Sequence, residues 1–510
     1  MAKTCIVAHD TGTGGDKAVL TDLEGRVMGS AYRPYGVDYP RADWAEQDPD
    51  GLWRAFAATT REVLEQAGID PAEVLGVGVS AQMFNLLPVD ADCRPVTPML
   101  SWQDVRSVTQ ADRLLEPATR AFLFEHTANV PTAKDVIPKI LWLKEERPDL
   151  WERTRWLLDC KEYILFRLTG LVGIDWHGAS VFFLFDPYEK AWDRTVCERL
   201  GIPVEKLPPT YPPTQVVGEV TAAAAAETGL AAGTPVVICA GDVAVAQSGS
   251  GANRDGKAHL CIGTATWVGV SSATLRNDPD TPFWALNHID PGKWVIAGEM
   301  ESGGGALQWY RNVLCADEAR TALERGVSTY RVLDEQAGAA PAGSDGLVFT
   351  PWLAGERAPV LDHYARGGFT GLSLGHTKGH LTRAVMEGVA CHIRWIVEAM
   401  EHVGFAIPAM QAIGGGSASE LWTQIIADVT GRPLHVVEHP LEAGAMGAAL
   451  TVAVGLGVYP DMDAIDDLIH VRRVVEPQAA NDEVYGHLYG TFRELYGALA
   501  PLYRGDPPGR

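Results

Sequence analysis

The chain has 510 residues, 46% of them apolar and 21% charged, and a net charge of −23. That length suits two domains of roughly 200–250 residues, and the apolar share is enough to fill both cores, so disorder is not expected. An acidic surface repels nucleic acid and anionic lipid, which argues against both as partners. A nucleotide remains open as a ligand if local backbone amides, a few cations and a metal receive it.

The eight cysteines, at 5, 93, 160, 197, 239, 261, 315 and 391, form no C-x-x-C pair, and several lie in apolar runs. They read as reduced core residues of a cytoplasmic protein rather than as zinc ligands. The opening MAKTCIVAHD has only about four apolar residues before a glycine turn, so no signal peptide is expected. No run approaches the roughly 18 apolar residues of a membrane span.

In chain order, residues 4–8 read as a buried strand, 10–16 as a glycine-rich turn, 17–22 as a returning strand and 26–30 as a third strand. The turn precedes a strand rather than a helix, which argues against a P-loop or a dinucleotide fold. Asp48-Pro49 opens an amphipathic helix over 48–67, and 74–80 reads as a buried strand. Helices are expected at 104–115, 138–145 and 160–168. The proline-rich segment 203–218 reads as a surface connection, 221–229 as an alanine-rich helix, and 235–240 as a strand ending at Gly241-Asp242. After 254–257 the opening pattern returns, with a strand at 259–262, the turn Gly263-Thr264-Ala265-Thr266 and a strand at 267–271. The echo suggests two related α/β domains facing one another. A helix at 381–403, a strand at 411–413, a triple glycine, a helix at 419–430, a strand at 434–437 and a small-residue helix at 442–454 complete the second half.

Five segments carry candidate chemistry. In Asp10-Thr11-Gly12-Thr13-Gly14-Gly15-Asp16-Lys17, glycines free backbone amides for phosphate oxygens, Lys17 adds a cation, and Asp10 is placed to hold Mg²⁺. An ordinary hairpin turn explains the same residues. Gly263-Thr264 repeats the device. Gly414-Gly415-Gly416-Ser417-Ala418-Ser419 lies between strand and helix, where a base or ribose can approach the backbone. Asp242 can accept a proton from a hydroxyl attacking a phosphoryl group, although a turn or N-cap aspartate looks the same in sequence. Gln82-Met83-Phe84 and Trp102-Gln103-Asp104-Val105-Arg106 offer the polar groups and aromatic rings that sugar sites use. Gly371-Leu372-Ser373-Leu374-Gly375 fits the nucleophile elbow of serine hydrolases, but the loop expected over 359–368 supplies no strand before it.

Taken in order, these segments resemble the FGGY family of carbohydrate kinases over nearly the whole chain. The matching stretches are HDTGTGGDKAVLTDLEG, ADWAEQDPDGLW, SWQDVRS, GDVAVAQSGSG, CIGTATW, PWLAGERAP with GGFTGLSLGHTKGHLTRAVMEGV, and GGGSASELWTQIIADVTGRPL. The resemblance implies two ribonuclease-H-like domains of the actin and hexokinase type, divided as 1–253 and 254–510, with an active-site cleft between them. It implies ATP and Mg²⁺, with Asp10 on the metal and Asp242 as general base. The phosphates would meet Gly12, Thr13, Gly14, Lys17, Gly263 and Thr264. Gly304 and Gly305 would border the nucleotide, and Gly415, Gly416 and Ser419 the adenosine. Gln82, Met83, Phe84, Trp102 and Asp104 would join Asp242 around the sugar. A homodimer is a family-level expectation.

Within the family the chain resembles the xylulose kinases, and this resemblance implies D-xylulose as the leading substrate. They typically carry Gln-Met-His-Gly where this chain has Gln82-Met83-Phe84-Asn85, so Phe84 removes an imidazole partner for sugar hydroxyls. L-xylulose, ribulose, erythritol, glycerol, gluconate and the autoinducer-2 precursor are the alternatives within the family. A sugar-binding protein of the same fold without turnover is the alternative outside it.

Overall fold

A computed structural model describes residues 3–281 and 283–504. Its frame is two large mixed sheets. The first is built from β1 (Cys5–Gly12), β2 (Gly15–Asp22), β3 (Val27–Pro34), β4 (Val74–Ala81), β5 (Val216–Glu219) and β6 (Pro235–Val237), in the order β5-β6-β4-β1-β2-β3. The second is built from β7 (Ala258–Ile262), β8 (Thr266–Ser272), β9 (Trp284–Asn287), β10 (Trp294–Met300), β11 (Met410–Ile413), β12 (Leu434–Val437) and β13 (Val471–Val475), in the order β9-β10-β8-β7-β11-β12-β13.

The echo in the sequence is a repeat of topology. In each sheet an antiparallel hairpin (β1–β2, β7–β8) pairs through its first strand, in parallel, with a later strand (β4, β11). Next comes a second parallel neighbour (β6, β12) and then an antiparallel edge strand (β5, β13). Strand β9 is the one addition, made on the far edge of the second sheet.

The helices that position the site are α1 (Pro49–Ala67), α2 (Asp242–Gly249), α3 (Gly303–Leu314), α4 (Lys378–Val403), α5 (Glu420–Thr430) and α6 (Ala443–Gly455). Asp48 caps α1 and Ser419 caps α5, each accepting from an amide of the first turn, as short oxygen-bearing side chains do. Helix α6 comes from the second half of the chain but packs on the first sheet, sharing an apolar cluster with Ile6, Ala8 and Val237. The division at 253/254 therefore separates the two sheets but not their covering helices.

Four local expectations change. The turn expected over residues 10–16 is only Thr13-Gly14, because β1 and β2 run on to Gly12 and Gly15. Polar residues there sit in strand because they satisfy one another under α1. Asp16 accepts from Thr11 Oγ1 at 2.6 Å and lies 2.9 Å from His9 Nδ1, and His9 Nε2 lies 3.1 Å from Thr60 Oγ1. The strand expected over 235–240 stops at Val237, and Cys239 takes a left-handed backbone with φ 54°. The helix expected from 104 begins at Val108, because Asp104 is held in the preceding turn. The surface connection over 203–218 contains the start of edge strand β5. All eight cysteines are free thiols and buried. No helix among the described residues is long and apolar enough to cross a membrane.

Candidate active site

The two hairpins face one cleft. In the first, Trp102 Nε1 donates to Thr13 Oγ1 at 2.8 Å, and Gln47 Nε2 donates to the Thr13 carbonyl at 3.0 Å. Gln82 steadies this arrangement from the end of β4: its amide donates to Thr11 O at 2.9 Å and its Nε2 to Gln47 Oε1 at 2.7 Å. In the second hairpin, the Gly304 amide donates to Gly263 O at 2.8 Å and the Gly305 amide to Thr264 O at 2.9 Å. A Cβ on Gly304 would stand 2.2 Å from Gly263 O, so this approach of α3 to the loop requires glycine.

Asp242 is the first residue of α2, with Gly241 as N-cap. Its carboxyl is pushed up to about 8, first by burial and then by the charge of Asp10, against the opposing pull of the Val243 amide. Asp10 stands opposite Lys17 in the β1–β2 ladder and is raised to about 6, chiefly by burial, with Lys17 opposing. One Asp10 oxygen, Oδ1, is buried with no hydrogen-bond partner. Two carboxyl groups close enough to oppose each other's charge, one with an orphaned oxygen, are a donor set that suits a hard divalent cation. Lys17 donates to the carbonyl of Leu441, just before α6, and so ties the first hairpin to the second half of the chain.

Two cavities open from the cleft. The first, of about 500 Å³, is lined by Thr13, Gly14, Gln82, Met83, Phe84, Trp102 and Asp242, and across from them by Trp267, Trp284, Glu299 and Arg357. The second, of about 540 Å³, is lined by Gly304, Gln308, Tyr330, Asp334, Gly415, Gly416, Ser419 and Trp422. Both are lined by Gly263 and Thr264, so the second hairpin is the place where they meet. A compact acceptor and an extended donor can therefore lie end to end, with Asp242 on the acceptor side.

The fold brings most of the expected residues together and sets a few apart. Asp104 does not line the cavity. It is fully buried, accepting from the Ala45 amide at 2.7 Å and from Arg106 Nη2 at 2.7 Å, and so holds the segment that presents Trp102 and Gln103. Gly12 lies one step below the cavity and gives its carbonyl to the Tyr35 hydroxyl. Gly305 faces the wider mouth of the cleft, and the amides of Gly304 and Gly305 are spent on the second hairpin rather than left open. Ser419 divides its hydroxyl between capping α5 and donating to Asp334 Oδ1 at 3.0 Å.

Several lining residues carry no signal in the sequence. Lys134 pairs with Glu301, and Asp135 with Arg357 at 3.1 Å, both across the cleft. Trp284 comes from the added strand β9, and its ring stacks on Phe84 at 4.6 Å. Trp267 could have been found as the first bulky residue after the second turn. Arg357 sits in the GERAP segment.

Known proteins match this chain over most of its length. The N-terminal domain of the FGGY family of carbohydrate kinases matches residues 5–249 and its C-terminal domain residues 258–456. The chain belongs to this family. It is 27% identical over 492 residues to the xylulose kinase of Bacillus subtilis, covering 96% of each chain. It is 29% identical over 461 residues to the gluconokinase of the same organism, covering 90% of this chain and 89% of the other. Among solved structures, a xylulose kinase from Rhodospirillum rubrum superposes with a TM-score of 0.85 at 32% identity, covering 98% of this chain and 99% of the other. The chain is a two-domain carbohydrate kinase of the actin and hexokinase type.

Proposed function

We propose that this kinase transfers the γ-phosphoryl group of ATP to a primary hydroxyl of a ketopentose, with D-xylulose as the leading substrate. The observation that carries the reading is the meeting of the two cavities at Gly263-Thr264 with Asp242 on the smaller side. Xylulose kinases recur among the relatives, over nearly the full length of both chains, which favours the ketopentose. The gluconokinase match keeps sugar acids as the second reading.

In this reading ATP occupies the second cavity, with its adenosine towards Gly415, Gly416 and Ser419. Thr13, Gly14, Gly263 and Thr264 surround the transferred group, where glycine backbone amides neutralise developing charge without a side chain in the way. Asp10 would hold Mg²⁺, which supplies charge neutralisation at the phosphates. Asp242 takes the proton of the attacking hydroxyl. Phe84, Trp102, Trp267 and Trp284 wall the acceptor from water, which limits wasteful hydrolysis.

The test is coupled ADP release with Mg-ATP across D-xylulose, L-xylulose, D-ribulose, L-ribulose, glycerol, erythritol and gluconate, with Asp242→Asn as control. D-xylulose turnover that falls at least 100-fold in the control supports the reading. Turnover confined to another member moves the substrate. Undiminished Asp242→Asn activity removes the proposed base.

A further inference from the structure

Glu299 of β10 is the register partner of Trp267 of β8, and both line the first cavity. Glu299 is 7% exposed, and no hydrogen bond or ion pair joins its side chain to the described residues. Burial and then the charge of Glu301 drive its carboxyl well above the usual range. The nearby cations are already engaged: Lys134 with Glu301, and Arg357 with Asp135. Along this wall Asp135, Glu299 and Glu301 face only two cations, and the buried Glu356 behind them adds a further carboxyl.

The wall lies away from the base. Met83 packs beside Asp242, since a Cβ on Gly241 would fall 2.0 Å from its sulfur. Phe84 follows and stacks on Trp284, over which Arg357 lies at 4.7 Å. Glu299 feels Arg357, Lys134 and Asp135, whereas the charges acting on Asp242 are those of Asp10 and Asp159.

We infer that Glu299 is a specificity-determining residue: it accepts a hydrogen bond from a hydroxyl of a neutral substrate, at the end remote from Asp242, and rejects sugar acids. Its side chain faces the cavity and is joined to no other side chain among the described residues, so it is available to a substrate hydroxyl. A substrate carboxylate would meet Glu301 and Asp135 and find no free cation, because Lys134 and Arg357 are already paired with them. The inference rests on the first cavity being the acceptor site of the proposed reaction.

The experiment is calorimetric binding of D-xylulose, D-ribulose, erythritol, glycerol and gluconate to the nucleotide-free protein, beside the ADP assay, for wild type, Glu299→Gln and Glu299→Ala. A neutral compound should bind at least about 100-fold more tightly than gluconate, and Glu299→Ala should weaken it at least about tenfold. Glu299→Gln keeps an acceptor oxygen and, like a carboxyl that holds its proton, carries no charge, so it should retain most of the neutral binding and most of the gap to gluconate. In turnover, the Ala variant should raise KM while kcat stays within about threefold. Gluconate binding as well as the neutral compounds overturns the inference. So does a neutral-to-acid ratio unchanged in Glu299→Ala, or no binding by any of the five. Preserved binding preference without ADP release overturns the kinase reading alone.

Discussion

The charge of Asp10, on the first strand of the first sheet, opposes ionisation of Asp242, at the start of the helix that follows the last parallel strand of that sheet. Burial is the larger cause, and together they raise Asp242 to about 8 from an ordinary 3.8. A proton acceptor held this way is costly to the fold and effective in the reaction.

Replacing it should therefore trade activity for stability. Asp242→Asn keeps the shape and removes the ionisation, so kcat should fall by about 10²–10⁴ while the protein becomes harder to melt. The sign follows from the raised value. Below pH 3.8 both folded and unfolded states hold the proton. As pH rises the unfolded chain ionises first, so the wild type loses stability up to about pH 8. The melting advantage of Asp242→Asn should be near zero at pH 4 and grow to at least about 2 °C by pH 8, read by differential scanning fluorimetry. A variant that melts lower than wild type at pH 8 contradicts the argument.

The same shift predicts the pH profile. The base acts unprotonated, and kcat/KM reports the free enzyme, so kcat/KM should fall about tenfold per pH unit on the acid side of a limb between pH 6 and 8. A divalent cation near Asp10 favours the charged forms of both carboxyl groups. Raising Mg²⁺ at fixed ATP should move the limb to lower pH, and a limb that ignores Mg²⁺ would separate the metal from this pair.

Helices α2 and α6, equivalent in the two repeats, cross backbone to backbone. A Cβ on Gly447 would stand 1.9 Å from Val245 O, and one on Gly249 would stand 1.8 Å from Ala443 O. Both obstacles are backbone, so neither can move aside cheaply. Gly447→Ala should cost about 1–3 kcal/mol in urea unfolding. It should also reduce kcat/KM, because the crossing carries Asp242 on α2. A substitution without effect on either measurement would mean that the helices part freely.

The fold was legible where physical pattern is local. Buried strands, capped helices and glycine turns were readable from spacing, and the repeated strand–turn–strand unit foreshadowed the repeated sheet. The first turn reads too long in the sequence because Thr11 and Asp16 are polar, and only the tertiary contacts of His9 and α1 keep them in strand. Asp104 is ambiguous in the sequence for a related reason: an aspartate near Trp102 looks the same whether it faces a ligand or turns inward to Ala45 and Arg106. Lys134 and Asp135 carry no sequence signal because their partners, Glu301 and Arg357, lie more than 100 positions away in the chain.

The ion pair between Asp135 and Arg357 spans the cleft, with the two side chains 1% and 4% exposed. Arg357 reaches both oxygens of Asp135 through Nη1 and one through Nη2, and also meets Thr132 Oγ1 at 3.3 Å. Arg357→Met should destabilise the protein by about 3–5 kcal/mol, because it strands a buried carboxylate. Asp135→Asn in the same chain should recover part of that loss, since the stranded charge is then gone, and the recovery measures the coupling. Arg357 also lines the acceptor cavity, so both variants should raise KM for the sugar far more than KM for ATP. Equal effects on the two KM values would make the pair a general support of the fold rather than a clasp over the acceptor.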